Sequence, residues 1–261
     1  MTNNKLKHLS LFSGIGGLDL AAEWAGFETV GQCEWADYPT KVLERHWPDV
    51  VKWKDIRSLT GESFYERTGL RTVDIISGGF PCQPFSVAGK HRGAEDDRYL
   101  WPEMFRVIKE LRPTWVVGEN VSGIINMALD TVLADLESEE YSWTTFVIPA
   151  CAVNAPHKRN RVAIVAYHDS GGCWQNGKFG VVDGVRREKE DYTLQIEKFR
   201  SHAFRRETNW DIEPRVDRVV HGIPSQVDRL KCLGNAVVPQ QFYPIFRAIA
   251  DIEEQKQRYS T

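Results

Sequence analysis

The sequence predicts an α/β fold with an open, largely parallel sheet, and two observations carry that expectation. Short apolar runs end in Gly, Ser or acidic residues, and segments of helical period lie between them. The first strands are expected at residues 9–12, 29–33, 73–77 and 115–118, with helices at 18–25, 39–46 and 101–111. A helix over 127–138 then leads to two more strands at 143–148 and 162–166. After Tyr167 the pattern breaks: residues 168–210 hold Gly171, Gly172, Gly177, Gly180 and Gly184 among polar and basic residues, with no sustained apolar period. Apolar order returns at 216–223, and residues 239–252 read as a final helix opened by a proline. A chain of 261 residues, at ~100–200 per domain, accommodates one core and a small appendage. The expected division is 1–167 for the main domain, 168–210 for a small lobe, and 211–261 for a return to the main domain.

Composition narrows the class. With 42% hydrophobic and 26% charged residues the chain can build a core, which excludes a disordered or collagen-like protein. No apolar run approaches the ~18 residues of a membrane span, and no signal-peptide core follows Met1, so no membrane association and a cytoplasmic location are expected. The five cysteines, Cys33, Cys82, Cys151, Cys173 and Cys232, are scattered, with no C-x-x-C pair and no clustered histidines, so neither a disulfide framework nor a metal site is expected. Net charge is −3, yet residues 156–206 carry eleven Lys or Arg against six acids, and that local excess suits a surface facing phosphate.

In a parallel sheet, ligands collect at the carboxyl ends of the strands, and the chemistry-bearing motifs fall there. Phe12-Ser-Gly14-Ile-Gly16-Gly17 follows the first strand and opens a helix, which lets a ligand approach backbone and helix N-terminus. Asp19 stands where the third glycine of a dinucleotide site would be, which argues against a pyrophosphate on that helix. Glu34 ends the second strand, placed for two ribose hydroxyls, and Trp35 beside it can stack on an adenine. Gly78-Gly-Phe-Pro81-Cys82-Gln-Pro84 follows the third strand, and its two prolines hold Cys82 in a rigid loop. An isolated cysteine is most often a small buried hydrophobe, but one held at a strand end is a candidate nucleophile. Glu119 follows the neighbouring strand, where a carboxyl shielded by apolar residues would have a raised pKa. Strand alternation places Arg159 and Arg161 on one face, aimed at an anion or a base edge.

Five stretches in this order, residues 12–17, 81–86, 119–121, 159–161 and 233–239, together resemble the DNA (cytosine-5) methyltransferases. The resemblance covers nearly the whole chain outside 168–210. It implies a Rossmann-like sheet dependent on S-adenosyl-L-methionine, with 168–210 as a target-recognition lobe. Phe12, Gly14, Gly16, Gly17, Glu34, Trp35, Asp55, Ile56, Pro81, Asn235 and Ala236 correspond to cofactor-binding positions, with Asp55 meeting the adenine amine. Cys82 corresponds to the nucleophile, Glu119 to the acid on the cytosine N3 edge, and Arg159 and Arg161 to arginines at the target base and backbone. Arg218 resembles the arginine of the family's ninth motif, with one extra residue before the following proline. His157 departs from the glutamine usual in the family.

The implied reaction is methyl transfer to C5 of a cytosine flipped out of double-stranded DNA, through a covalent bond from Cys82 to C6. The loop 83–98 is long and polar enough to close over the base. A monomer is expected, and a cognate restriction endonuclease is a compatible partner. Two alternatives stay open: the same chemistry on RNA, and a non-catalytic nucleic-acid-binding module.

Overall fold

The computed structural model describes residues 5–82, 99–168 and 232–259. The loop 83–98, Arg218, the apolar stretch 216–223 and the expected lobe, apart from His168, lie outside the described residues. Seven strands form one sheet in the order β3-β2-β1-β4-β5-β7-β6. They are β1 (Lys7–Leu11), β2 (Glu28–Cys33), β3 (Val51–Trp53), β4 (Ile75–Gly78), β5 (Trp115–Val121), β6 (Tyr141–Ile148) and β7 (Arg161–His168). The first five pair in parallel, and β7 runs antiparallel between β5 and β6.

The helices are α1 (Gly17–Trp24), α2 (Asp37–His46), α3 (Gly61–Thr68), α4 (Trp101–Leu111), α5 (Ile124–Met127), α6 (Leu129–Ser138) and α7 (Pro239–Tyr259). Consecutive strand residues point to opposite faces, so Ile75 and Ile76, or Val116 and Val117, serve different cores. One face packs Leu9, Leu11, Ile76 and Val116 against Trp101, Met104, Val107 and Ile108 of α4, with Phe64 of α3 and Leu136 of α6. The other packs Ile75, Val117, Ala163 and Val165 against Leu18, Ala21 and Ala22 of α1 and Phe242, Phe246 and Ile249 of α7. Burying both faces explains why these strands read as continuous apolar runs rather than alternating ones.

The chain leaves β1 outward to β2 and β3, then returns to β4 on the other side of β1. This reversal opens a crevice at the carboxyl ends of β1 and β4, the place where such sheets bind ligands. Two elements differ from the sequence expectation in a way that matters for the site. β5 continues through Glu119 and Asn120 to Val121, because Val121, Asn120 and Glu119 pair with Arg161, Val162 and Ala163 at the start of β7. Glu119 is therefore a strand residue rather than a loop residue. The helix expected from residue 127 is split into α5 and α6 at Ala128, whose ψ is near 0°. Among the described residues no helix is long and apolar enough to cross a membrane.

Candidate active site

A cleft of about 1660 Å³ lies over the carboxyl ends of the central strands, well above the ~300–1,000 Å³ of an ordinary small-ligand pocket. Phe12, Gly14, Glu34, Trp35, Asp55 and Ile56 line one side, and Pro81, Cys82, Glu119, Asn120 and Arg161 the other. Gly17, Asn235 and Ala236 line it as well. Of the expected site residues, Gly16 and Arg159 are not among those lining the cleft.

The glycines after β1 do different work. Gly14 has φ +56° and a β-carbon there would meet nothing within 4 Å, so its surface is open. At Gly16, with φ +87°, a β-carbon would lie 2.4 Å from the ring of Trp47, and at Gly17 it would lie 2.7 Å from the carbonyl oxygen of Val237. Gly16 thus answers to packing against α2 and its following residue, and Gly17 to the segment before α7. Gly14 and Gly17 also line the cleft, where ligand approach was expected of all three, while Gly16 does not.

Glu34, directly after β2, accepts the backbone N–H of Gly14 on Oε2 and that of Ala36 on Oε1, both at 2.8 Å. These bonds fix its carboxylate at the cleft, and each oxygen keeps acceptor capacity for a hydroxyl. Trp35 is 70% exposed, an aromatic ring held in water where a planar base could cover it. Asp55 caps a 3-10 turn (Ile56–Ser58) by accepting from the Arg57 N–H, which leaves its second oxygen for a donor such as an exocyclic amine. An open backbone, a fixed carboxylate, a free aromatic face and a second acid together fit a nucleoside-bearing cofactor.

On the other side, the thiol of Cys82 donates to Oδ1 of Asn120 at 2.8 Å, while Nδ2 of Asn120 donates to the carbonyl of Phe80 at 2.9 Å. Asn120 therefore fixes both the sulfur and the backbone of the loop carrying it. It belongs to the 119–121 stretch but was not singled out as a site residue; its signal lies in its place beside Glu119. Burial pushes the Cys82 thiol above its ordinary pKa, and the charge of Glu119 pushes the same way. Cys33, also at the cleft, is pushed up to about 12, chiefly by burial, which makes it a poor nucleophile.

Glu119 is 8% exposed, and burial raises its pKa to about 7 against the attraction of Arg161 and Arg159. Arg161 Nε lies 2.7 Å from Glu119 Oε1, but its N–H is not aligned along that contact, so the pairing is one of charge. The register explains the meeting: Glu119 stands opposite Ala163, two residues along from Arg161 on the same face of the β5–β7 pair. Arg159 does not share that face as strand alternation led one to expect. It precedes β7, has φ +32°, and turns its guanidinium to the carbonyls of Gly234 and Ala236. His157, which departs from the family pattern, is exposed.

Sheet order and cleft define an α/β protein whose strand ends bring a thiol, Cys82, and a buried acid, Glu119, into one cleft with Glu34, Trp35 and Asp55. Residues 6–215 match the family model for the C-5 cytosine-specific DNA methylase, and the chain belongs to that family. It is 35% identical over 173 residues to the type II methyltransferase M.Eco47II of Escherichia coli, covering 64% of this chain and 40% of that protein. It is 31% identical over 169 residues to M.HhaI of Haemophilus parahaemolyticus, covering 63% and 50%. The matched part thus spans about half the length of these relatives. A solved E. coli prophage protein described as a DNA modification methyltransferase superposes with a TM-score of 0.57 at 26% identity, over 66% of this chain and 49% of that one. The S. pombe Dnmt2 methyltransferase shares the fold, with a TM-score of 0.54 at 21% identity over 72% and 58%.

Proposed function

We propose that this protein methylates C5 of cytosine in double-stranded DNA, using S-adenosyl-L-methionine. The observation that supports it most is the gathering of two sets of residues in one cleft: Cys82, Glu119, Asn120 and Arg161 from the β4, β5 and β7 half of the sheet, and Gly14, Glu34, Trp35 and Asp55 from the β1, β2 and β3 half. S-adenosyl-L-methionine, held by the second set, supplies an electrophilic methyl group. Cytosine C5 is too weak a nucleophile to take it unaided. Cys82 therefore adds to C6 while Glu119, half protonated near neutral pH, gives or shares a proton at N3. Arg161, beside Glu119, offers donors to the base edge. C5, made nucleophilic by that addition, takes the methyl group; loss of the C5 proton to a solvent base, expulsion of the Cys82 thiolate from C6 and return of the N3 proton to Glu119 then restore the ring. A thiol on a residue only 6% exposed cannot reach into a base stack, so the base must come to it, flipped from the duplex.

Duplex DNA carrying 5-fluorocytosine tests this, since the fluorine cannot leave as a proton does. The protein with cofactor should form a denaturation-stable adduct, and Cys82→Ser should not. Bisulfite sequencing of DNA from expressing cells should show methylated cytosines in a fixed context. Methylation of a tRNA with no product on duplex DNA would overturn the choice of substrate, and an adduct retained by Cys82→Ser would overturn the nucleophile.

A further inference from the structure

Residues 232–237 form a wall of the cleft between the start of α1 and the start of β7. Residues 232–235 make one helical turn, closed by the Ala236 N–H on the Cys232 carbonyl at 2.8 Å. A turn this short leaves its last carbonyls without partners of its own. Arg159 supplies them. Its Nη2 donates to the carbonyls of Gly234 and Ala236 at 2.6 Å each, with that of Leu233 at 3.4 Å. The backbone of Arg159 is itself held, because Gln241 of α7, 1% exposed, donates Nε2 to its carbonyl at 3.1 Å and to that of Ile148 at 2.8 Å. On the opposite side, the wall's Val237 carbonyl closes against Gly17, where no β-carbon fits.

We infer that Arg159 is a positioning residue for the cofactor wall, holding Asn235 and Ala236 at the cleft, and that Arg161 alone of the two arginines serves the target base. The inference rests on the proposed cofactor reading, since Asn235 and Ala236 matter here as cofactor contacts. Nη2, with its two hydrogens on main-chain carbonyls, anchors the guanidinium to the wall, and Arg159 is not among the residues lining the cleft, whereas Arg161 is. Removing it frees a short helical end so that the wall can move, and at the Glu119 group it takes away only the lesser of two nearby cations, since Arg161 stays in place.

Calorimetry with S-adenosylhomocysteine, steady-state methyl transfer to duplex DNA, and thermal melting of wild type, Arg159→Ala and Arg159→Lys separate the possibilities. Arg159→Ala should weaken S-adenosylhomocysteine about tenfold or more and raise the KM for cofactor in parallel. Its kcat at saturating cofactor and its KM for DNA should stay within a few-fold of wild type. Arg159→Lys, which can still reach one carbonyl, should recover part of the affinity, and it carries the same test if the alanine variant does not fold. Unchanged cofactor affinity with a fallen kcat or a raised KM for DNA would place Arg159 at the target and overturn the inference. A general loss of melting temperature and of every kinetic parameter in both variants would reduce it to a folding residue and overturn it too. A wild-type protein that bound no S-adenosylhomocysteine would instead refute the proposed function itself.

Discussion

Glu119 occupies the space that a side chain at Gly79 would need: a β-carbon built on Gly79 would lie 2.6 Å from Oε2 of Glu119. The glycine pair that closes β4 is thus explained position by position. At Gly78 a β-carbon would crowd the Leu11 carbonyl at 3.0 Å and Met104 sulfur at 3.1 Å, which is a matter of packing. At Gly79 the obstacle is the free end of the acid itself.

Gly79→Ala should therefore damage chemistry far more than fold. The carboxylate can swing away at little structural cost, but it would then leave the position from which it serves the base. A misplacement of about 1 Å in such a group costs roughly 100-fold. The expected result is a fall of about that size in kcat/KM for DNA, with a melting temperature close to wild type and cofactor affinity unchanged. Equal activity in a folded Gly79→Ala protein would show that the position of Glu119 does not matter.

The raised pKa of Glu119 and the raised pKa of Cys82 make a definite pH profile. The reactive form needs a proton on Glu119 and none on Cys82. Below pH 7 the acid is protonated and the thiolate fraction grows tenfold per unit, so log kcat/KM for DNA should rise with a slope of about one. Above about 7 the loss of the Glu119 proton offsets the gain in thiolate, and the curve should flatten until Cys82 itself titrates. Glu119→Gln, neutral at every pH, should react more slowly and keep rising through pH 7 without the break. A break that persisted in that variant would belong to another group.

Much of this arrangement was legible in the sequence, and the parts that were not share a cause. Six of the seven strands showed as short apolar runs, β6 among them although it is a largely exposed edge strand, and Cys82, Glu34 and Trp35 stand where the motifs placed them. β3 did not show, being three residues long with Lys52 at its centre. Helix α3 did not show because Phe64 is its one buried residue, and its capping box pairs Thr60 with Ser63 in place of the usual Glu or Gln. The features of the site that the sequence did not show are long-range. That β5 runs on to include Glu119 follows from its pairing with β7, and that Gly16 serves packing follows from Trp47 arriving beside it. Arg159 leaves the strand pattern through a positive φ that no local signal at a non-glycine residue foretells.

Asp19 gives the last prediction, because it is wholly buried yet far from neutral in its consequences. Its carboxylate accepts from Ser10 Oγ and Gln32 Nε2, both at 2.8 Å, tying the first turn of α1 to β1 and β2. Burial outweighs these bonds and raises its pKa to about 6. Between the ordinary carboxylate range and pH 6 the folded protein keeps a proton that the unfolded chain has released. The stability this group contributes is therefore full in acid and is lost as pH rises through about 6, on the order of 3 kcal/mol in all. His8 works the other way. Its pKa falls to about 3 on burial, so it stays neutral while the unfolded chain charges, and its stabilising contribution is lost as pH drops below about 6.5. Because the two slopes oppose each other, the wild-type curve alone will not display either. The difference between Asp19→Asn and wild type isolates the acid, because an asparagine still accepts from Gln32 on Oδ1 while its Nδ2 donates to the Ser10 hydroxyl, which turns to accept. Urea unfolding at pH 4 and pH 7 should show the variant gaining on wild type by roughly 2 kcal/mol across that interval. A difference that stayed constant with pH would mean that Asp19 has the same pKa folded and unfolded, and that the bonds from Ser10 and Gln32 fully compensate its burial.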